Sequence, residues 1–229
     1  MVTILVERLD ERAPLIIERA ELLAEMFFRL DASSRPGGYD DYIVANLRRH
    51  DRIVKEDIDV LNDTMRTRSK VDWWADLIAK ERLDWLVALG SKWDLILLDD
   101  EEWRRRGCSE AIAGAFEGIK GKYHGPATST KLLHMKRPAL IPVCDSFVQA
   151  QLGARPSTDL ADVVEYIRVQ GRRNVNELLA VQSWLARRGI ERTLVRVLDA
   201  LLWSTHPESE FGPVPKLLDD WAANGILAK

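Results

Sequence analysis

The chain has 229 residues, 46% of them apolar, and a formal charge of −3 at pH 7. That length and composition suffice for one large or two small lobes with a real core and exclude a disordered chain; the mildly acidic balance excludes a protein that coats nucleic acid non-specifically. There is no apolar run of membrane-spanning length, no leading cationic-apolar signal and no cysteine framework beyond Cys108 and Cys144, so a soluble, cytoplasmic protein with reduced thiols is expected, with no membrane contact.

Met1 to Glu7 reads as a short strand, and no strand is expected after residue 10. Pro14 to Leu30 has Ile16, Ala20, Leu23, Phe27 and Leu30 at helical spacing, with a proline tolerated near the helix start. Ser33 to Gly38 is the clearest linker. Asp41 to His50 and Glu56 to Met65 read as short helices, and a polar loop follows in which Ser69 can cap a helix carrying Trp73 and Trp74. Val71 to Ile78, Arg82 to Leu89 and Asp99 to Arg106 continue as short helices. Eight tryptophans are many for this length. Trp74, Trp85, Trp184 and Trp203 stand at helical spacing with aliphatic residues and read as core, whereas Trp73 and Trp93 are candidates to line a base pocket.

Ser109 to Ile119 has one apolar helical face, Gly121 stops it, and Gly125-Pro126 opens a second helix from Ala127 to about Met135. Two short helices joined by a tight turn present backbone N–H groups suited to an anion. Between Lys120 and Arg137 stand Lys120, Lys122, Lys131, Lys136 and Arg137, with His124 and His134 and no Asp or Glu. A basic island on an acidic background reads as a local anion-binding surface or as a solvated helix face. Asp145 then stands where a helix from Ser146 to Leu152 begins, the position of an N-cap. Asp159 to Val169, capped by Ser157 or Thr158, Val175 to Arg188, and Glu191 to Trp203 complete the helical pattern. A Pro-containing loop from Thr205 to Pro215 and a last helix from Val214 to Ala223 close the chain. The fold class expected is all-α.

The run HGPATSTKLLHMKRPALIPVCDSFV resembles the helix-hairpin-helix, Gly/Pro and aspartate segment of the DNA glycosylase superfamily typified by endonuclease III and the adenine mismatch glycosylases. It is also similar to a set of uncharacterised bacterial proteins sharing the Lys-Leu-Leu-His, Arg-Pro and Ile-Pro-Val run. In the glycosylases the hairpin ends in Gly, a short helix and an apolar extended run follow, and an essential Asp begins the next helix. The matching parts are Gly125, Ala127 to Leu133, Leu140 to Val143 and Asp145, which falls 18 residues after Ala127. Three differences accompany the resemblance. Ala127 occupies the position of the lysine nucleophile, so strand cleavage is not implied. Tyr123 and His124 precede Gly125, so Gly121 fits the hairpin pattern only with a turn two residues longer. The four-cysteine iron–sulfur motif of some members is absent.

The resemblance implies a two-lobed helical fold with the helix-hairpin-helix at about 109–135. One lobe would span 40–140, the other 13–32 with 145–229, and Asp145 would lie between them. It implies a monofunctional DNA glycosylase without lyase activity, belonging to base excision repair. In that role Asp145 activates water and stabilises the positive charge that builds on the sugar as the base departs. Lys120, Lys122, His124, Gly125, Thr128 and Lys131 would contact duplex DNA, and Asn62, Thr64 or Arg66 would enter the gap left by a flipped base. No cofactor is implied apart from a monovalent cation at the hairpin. The alternative is a non-catalytic helix-hairpin-helix protein that binds nucleic acid or another protein.

Overall fold

Two short runs near the N-terminus alternate buried and exposed residues with a period of two, which is the pattern of strands covered on one face. They are β1, Ile4–Val6, and β2, Leu15–Ile17, paired antiparallel in the register Ile4↔Ile17, Leu5↔Ile16 and Val6↔Leu15. Ile4, Val6 and Ile17 are buried, whereas Leu5 and Ile16 face outward. The computed structural model describes residues 1–30, 38–45, 51–120 and 125–209. The second strand corrects the expected helix from Pro14. Ile16 and Ala20 share helical spacing, but Arg19 takes a left-handed φ of 54°, which separates strand from helix, and α1 (Ala20–Leu30) starts only beyond it.

The outer edge of β1 is not open. Asn174 donates to Leu5 O and accepts from Leu5 N at 2.8 and 3.1 Å, and Gln170 accepts the Glu7 N–H at 2.9 Å. These side chains stand where α10 (Leu160–Arg173) meets α11 (Val175–Ala186), so the N-terminal hairpin is stapled to the far end of the sequence.

The other regular elements of the described chain are helices, in keeping with the all-α expectation: α2 Tyr39–Ala45, α3 Lys55–Met65, a 3-10 turn Val71–Trp74 running into α4 Ala75–Ile78, α5 Asp84–Ala88, α6 Asp100–Arg105, α7 Cys108–Ile119, α8 Pro126–Lys136, α9 Ser146–Leu152 and α12 Leu194–Ser204. In space α1 lies on α11 and α12, α9 on α12, α10 and α5 on α7, and α3 on α8. The buried apolar side chains form a cluster that draws on β1, α1, α3, α5, α7, α8, α10 and α12. Trp74 and Trp103 are buried within it, and Trp73, Trp85, Trp93, Trp184 and Trp203 pack on it partly exposed.

Capping follows side-chain chemistry more closely than the expected positions. Asp159, not Ser157 or Thr158, caps α10 through its carboxylate and the Ala161 N–H at 2.8 Å, while Thr158 Oγ1 accepts from Arg155 N. Ser69 does not cap the tryptophan helix: it is buried, and Lys70 holds the N-cap position without a side-chain bond. Residues 33–37 of the expected linker, 46–50 of the expected helix after Asp41, Gly121 to His124, and the expected final helix from Val214 lie outside the described residues.

Candidate functional site

Pro126 stands at the first position of α8, where a missing N–H costs nothing, and Gly125 precedes it with φ −72° and ψ 165°. Neither angle demands glycine, and a Cβ built there meets nothing within 4 Å. The first turn of α8 has no acidic residue, and Ala127 and Thr128 there are half-buried. Thr130 ends that turn with its hydroxyl donating to Ala127 O and accepting the Cys144 N–H at 3.1 Å, which ties α8 to the residue before Asp145.

Asp145 is the N-cap of α9. Its Oδ1 accepts from the N–H groups of Phe147 and Val148 at 3.1 and 3.2 Å. Among the described residues Oδ2 accepts no hydrogen bond, and the residue is partly exposed. One oxygen is thus fixed by a helix terminus and the other is available. Phe147 stacks on His206 with ring centroids 4.2 Å apart and an interplanar angle of 7°, and it approaches Trp203 at 5.7 Å. An aromatic surface therefore begins two residues beyond the carboxylate.

Beneath Asp145 lies a charged network that sequence reasoning missed. Asp199 on α12 accepts the Val143 N–H through Oδ2 at 2.9 Å and Arg196 Nη1 through Oδ1 at 2.7 Å; Arg196 Nε reaches Asp40 Oδ1 on α2 at 2.9 Å. All three side chains are buried. Burial opposes the charge on Arg196, but Asp40 and Asp199 overcome it and hold its pKa above the ordinary value. Burial pushes the Asp199 carboxyl up to about 7, against the pull of Arg196 and the Val143 N–H. Alongside, His134 is buried with Nδ1 2.5 Å from Ile141 O and stacks on Tyr39, whose hydroxyl donates to Lys131 O. Burial and then Arg196 lower the His134 pKa to about 4, so the ring is neutral and Nδ1–H is the donor. A signal for the network was present: α12 reads LVRVLDALLWS, and a charged pair three residues apart in so apolar a helix needs buried partners.

Folding takes part of the basic island into the core. Lys136 is 4% exposed and pairs with Asp57 at 2.5 Å. Arg137 is 2% exposed and donates to Leu86 O, Leu89 O and Asp51. With His134 also buried, three of the island's five described members are core groups, and Lys136 and Arg137 stitch the end of α8 to α3 and α5. Lys120 is exposed and pairs with Glu117 at 3.1 Å, and Lys131 donates to Met65 O at 3.3 Å. Lys122 and His124 lie outside the described residues.

The three candidates for the base gap also separate. Asn62 holds its own loop: Oδ1 accepts from Ser69 N and Thr67 Oγ1 at 2.7 and 2.8 Å, and Nδ2 donates to Ser69 O at 2.7 Å. The Thr64 hydroxyl donates back to Val60 O within α3. Arg66 is exposed at the left-handed C-cap of that helix.

A cavity of about 300 Å³ opens elsewhere, at the start of α12, lined by Asp94, Leu97, Gln182 and Glu191 to Leu194, and Asp145 does not line it. Among the described residues no group of three or more His, Cys, Asp or Glu side chains is placed to hold a metal ion, and no helix is long and apolar enough to cross a membrane.

Comparison with curated proteins and with solved structures finds no match. Residues 76–206, which run from α4 to just past α12 and include α7, α8, Asp145 and the Arg196–Asp199 pair, match a sequence family, and the chain belongs to it: the family of unknown function DUF6308.

Proposed function

We propose that the protein is a monofunctional N-glycosidic hydrolase of the helix-hairpin-helix glycosylase type, acting on a base in DNA with Asp145 as the group that activates water. One observation carries the reading: Asp145 has Oδ1 fixed by two backbone N–H groups and Oδ2 without a partner among the described residues. A carboxylate so placed keeps its orientation while its second oxygen faces a water or a developing sugar cation. The chain before it is held twice, through Val143 to Asp199 and through Cys144 to Thr130, and that rigidity supports a positioned catalytic group. Ala127 in α8 leaves no lysine for a covalent intermediate at that point, in keeping with hydrolysis without strand cleavage.

The test is single-turnover base release from duplexes carrying uracil, alkylated, oxidised or mismatched bases, with wild type beside Asp145→Asn. Asparagine retains an oxygen to cap α9, so the variant should fold, bind and release nothing. Release that persists in the variant would remove Asp145 from the reaction.

A second reading, a non-catalytic nucleic-acid or protein-binding module, is favoured by the placement of the described cavity at the start of α12 and not at Asp145. Salt-dependent binding with no base released from any duplex would support it.

A further inference from the structure

The segment Arg66-Thr67-Arg68-Ser69-Lys70 alternates in exposure: Arg66, Arg68 and Lys70 are exposed, Thr67 is half-buried and Ser69 is buried. Its two inward residues are the ones gripped by Asn62, through Thr67 Oγ1, Ser69 N and Ser69 O. All its outward residues are cations, and from Thr64 to Val71 there is no carboxylate; Asp63 and Asp72 flank the segment.

Exposed charges on a loop are ordinarily only solvated. Two features set this loop apart. Arg66 and Arg68 both take left-handed φ values, 50° and 56°, a region that non-glycine residues rarely occupy and that persists only where the surroundings over-determine it. The loop is also joined to α8, because Lys131 Nζ donates to Met65 O immediately before Arg66 and brings a fourth cationic side chain to the same edge. Lys70 Nζ lies 5.9 Å from the ring of the partly exposed Trp73, so an aromatic face adjoins the charges.

We infer that Arg66, Arg68 and Lys70, on a loop braced by Asn62 and adjoined by Lys131 and Trp73, bind the phosphodiester backbone of a nucleic-acid strand. Three exposed cations spread along one segment suit a linear polyanion better than a compact anion, which would need donors converging on one point. Trp73 supplies a face on which a base can stack without reading its identity. The loop replaces in three dimensions the charge that α8 buries at Lys136 and Arg137. The inference rests on the nucleic-acid substrate proposed above and adds the surface that would hold it.

The test is binding of a short fluorescein-labelled oligonucleotide, single-stranded and duplex, across a series of salt concentrations. Arg66→Gln/Arg68→Gln/Lys70→Gln should weaken binding about tenfold or more and lower the slope of log affinity against log salt by about two to three, since each phosphate contact contributes roughly 0.9 to that slope on duplex DNA. Asn62→Ala, which keeps every charge and frees the loop, should also weaken binding. Unchanged affinity and slope in the triple variant would overturn the inference, as would competition by polyglutamate equal to that by unlabelled oligonucleotide. Asp145→Asn should bind as wild type does. Hydrolysis of free nucleosides, which needs no backbone contact, separates the two proposals: activity there without oligonucleotide binding would sink the loop assignment and leave Asp145 in place.

Discussion

Asp199 Oδ2 accepts the backbone N–H of Val143 at 2.9 Å, so a buried carboxylate on α12 fixes the chain two residues before Asp145. The same carboxylate pairs with Arg196, and removing it leaves both a buried N–H and part of a buried guanidinium without their partner. Asp199→Ala is therefore expected to destabilise by about 3–5 kcal/mol, the range for breaking a buried ion pair from one side. Asp199→Asn, which can still accept from Val143, should cost less. Urea unfolding of both variants checks the order, and equal losses would show that charge alone matters at this position.

Lys136→Met should be strongly destabilising, by about 3–5 kcal/mol, because it strands Asp57 in the core. Asp57 also accepts from Val54 N and Tyr42 Oη, so two bonds remain to soften the loss. Under the proposed function the folded variant should bind an oligonucleotide as wild type does, since the Lys136 ammonium is enclosed. A folded Lys136→Met protein with weakened binding and a smaller salt slope would return this lysine to the surface.

Gly118 lies within α7, and a Cβ built there falls 2.5 Å from the ring of Trp85 on α5. Gly118→Ala improves helix propensity by about 1 kcal/mol but must displace the indole, at a cost of about 1–3 kcal/mol for overpacking. Net destabilisation is expected, and thermal melting decides: a raised Tm would mean that Trp85 moves aside freely.

The helices were largely legible in the sequence because their signals are local. α7, α8 and α9 fall within a residue or so of their expected bounds, since Pro126 and Asp145 mark helix starts by chemistry that needs no tertiary partner. Failures came where partners are remote in sequence. Leu15–Ile17 has three apolar residues compatible with helix or strand, and only pairing with Ile4–Val6 selects the strand. Lys136 and Arg137 read as surface charge because their partners, Asp57 and the carbonyls of Leu86 and Leu89, lie about 50 to 80 residues earlier. Asn62 and Arg66 were singled out, but that one braces the loop the other occupies follows from the fold of 62–69 alone.

Gly125→Ala separates a structural from a functional need for glycine. With φ −72° and open space at the Cβ position, the substitution should change stability by less than about 0.5 kcal/mol, as the poorer N-cap and the reduced freedom of the unfolded chain offset one another. If a phosphate approaches the α8 terminus closely, the added methyl should weaken oligonucleotide binding severalfold. Unchanged binding would place the backbone contact elsewhere.

His134 and Asp199 give the fold opposite responses to acid. The His134 pKa is lowered by burial from 6.5 to about 4, so the unfolded chain binds the extra proton between those values. Its contribution to stability is complete above about pH 6.5 and is lost as pH falls toward 4, amounting to about 3 kcal/mol at most. Asp199, raised by burial from 3.8 to about 7, has the opposite sign: its contribution is complete below about pH 4 and is lost as pH rises toward 7. His134→Leu leaves Ile141 O without its donor and lowers stability overall, but it also removes the slope that His134 contributes. The stability of the variant relative to wild type should then fall as pH rises from 4 to 7, so that the gap between them widens by about 3 kcal/mol over that interval. Urea unfolding at pH 4, 5, 6 and 7 measures it. Parallel profiles for the two proteins would mean that His134 is protonated in the fold, and the bond to Ile141 O would then have to come from a charged ring.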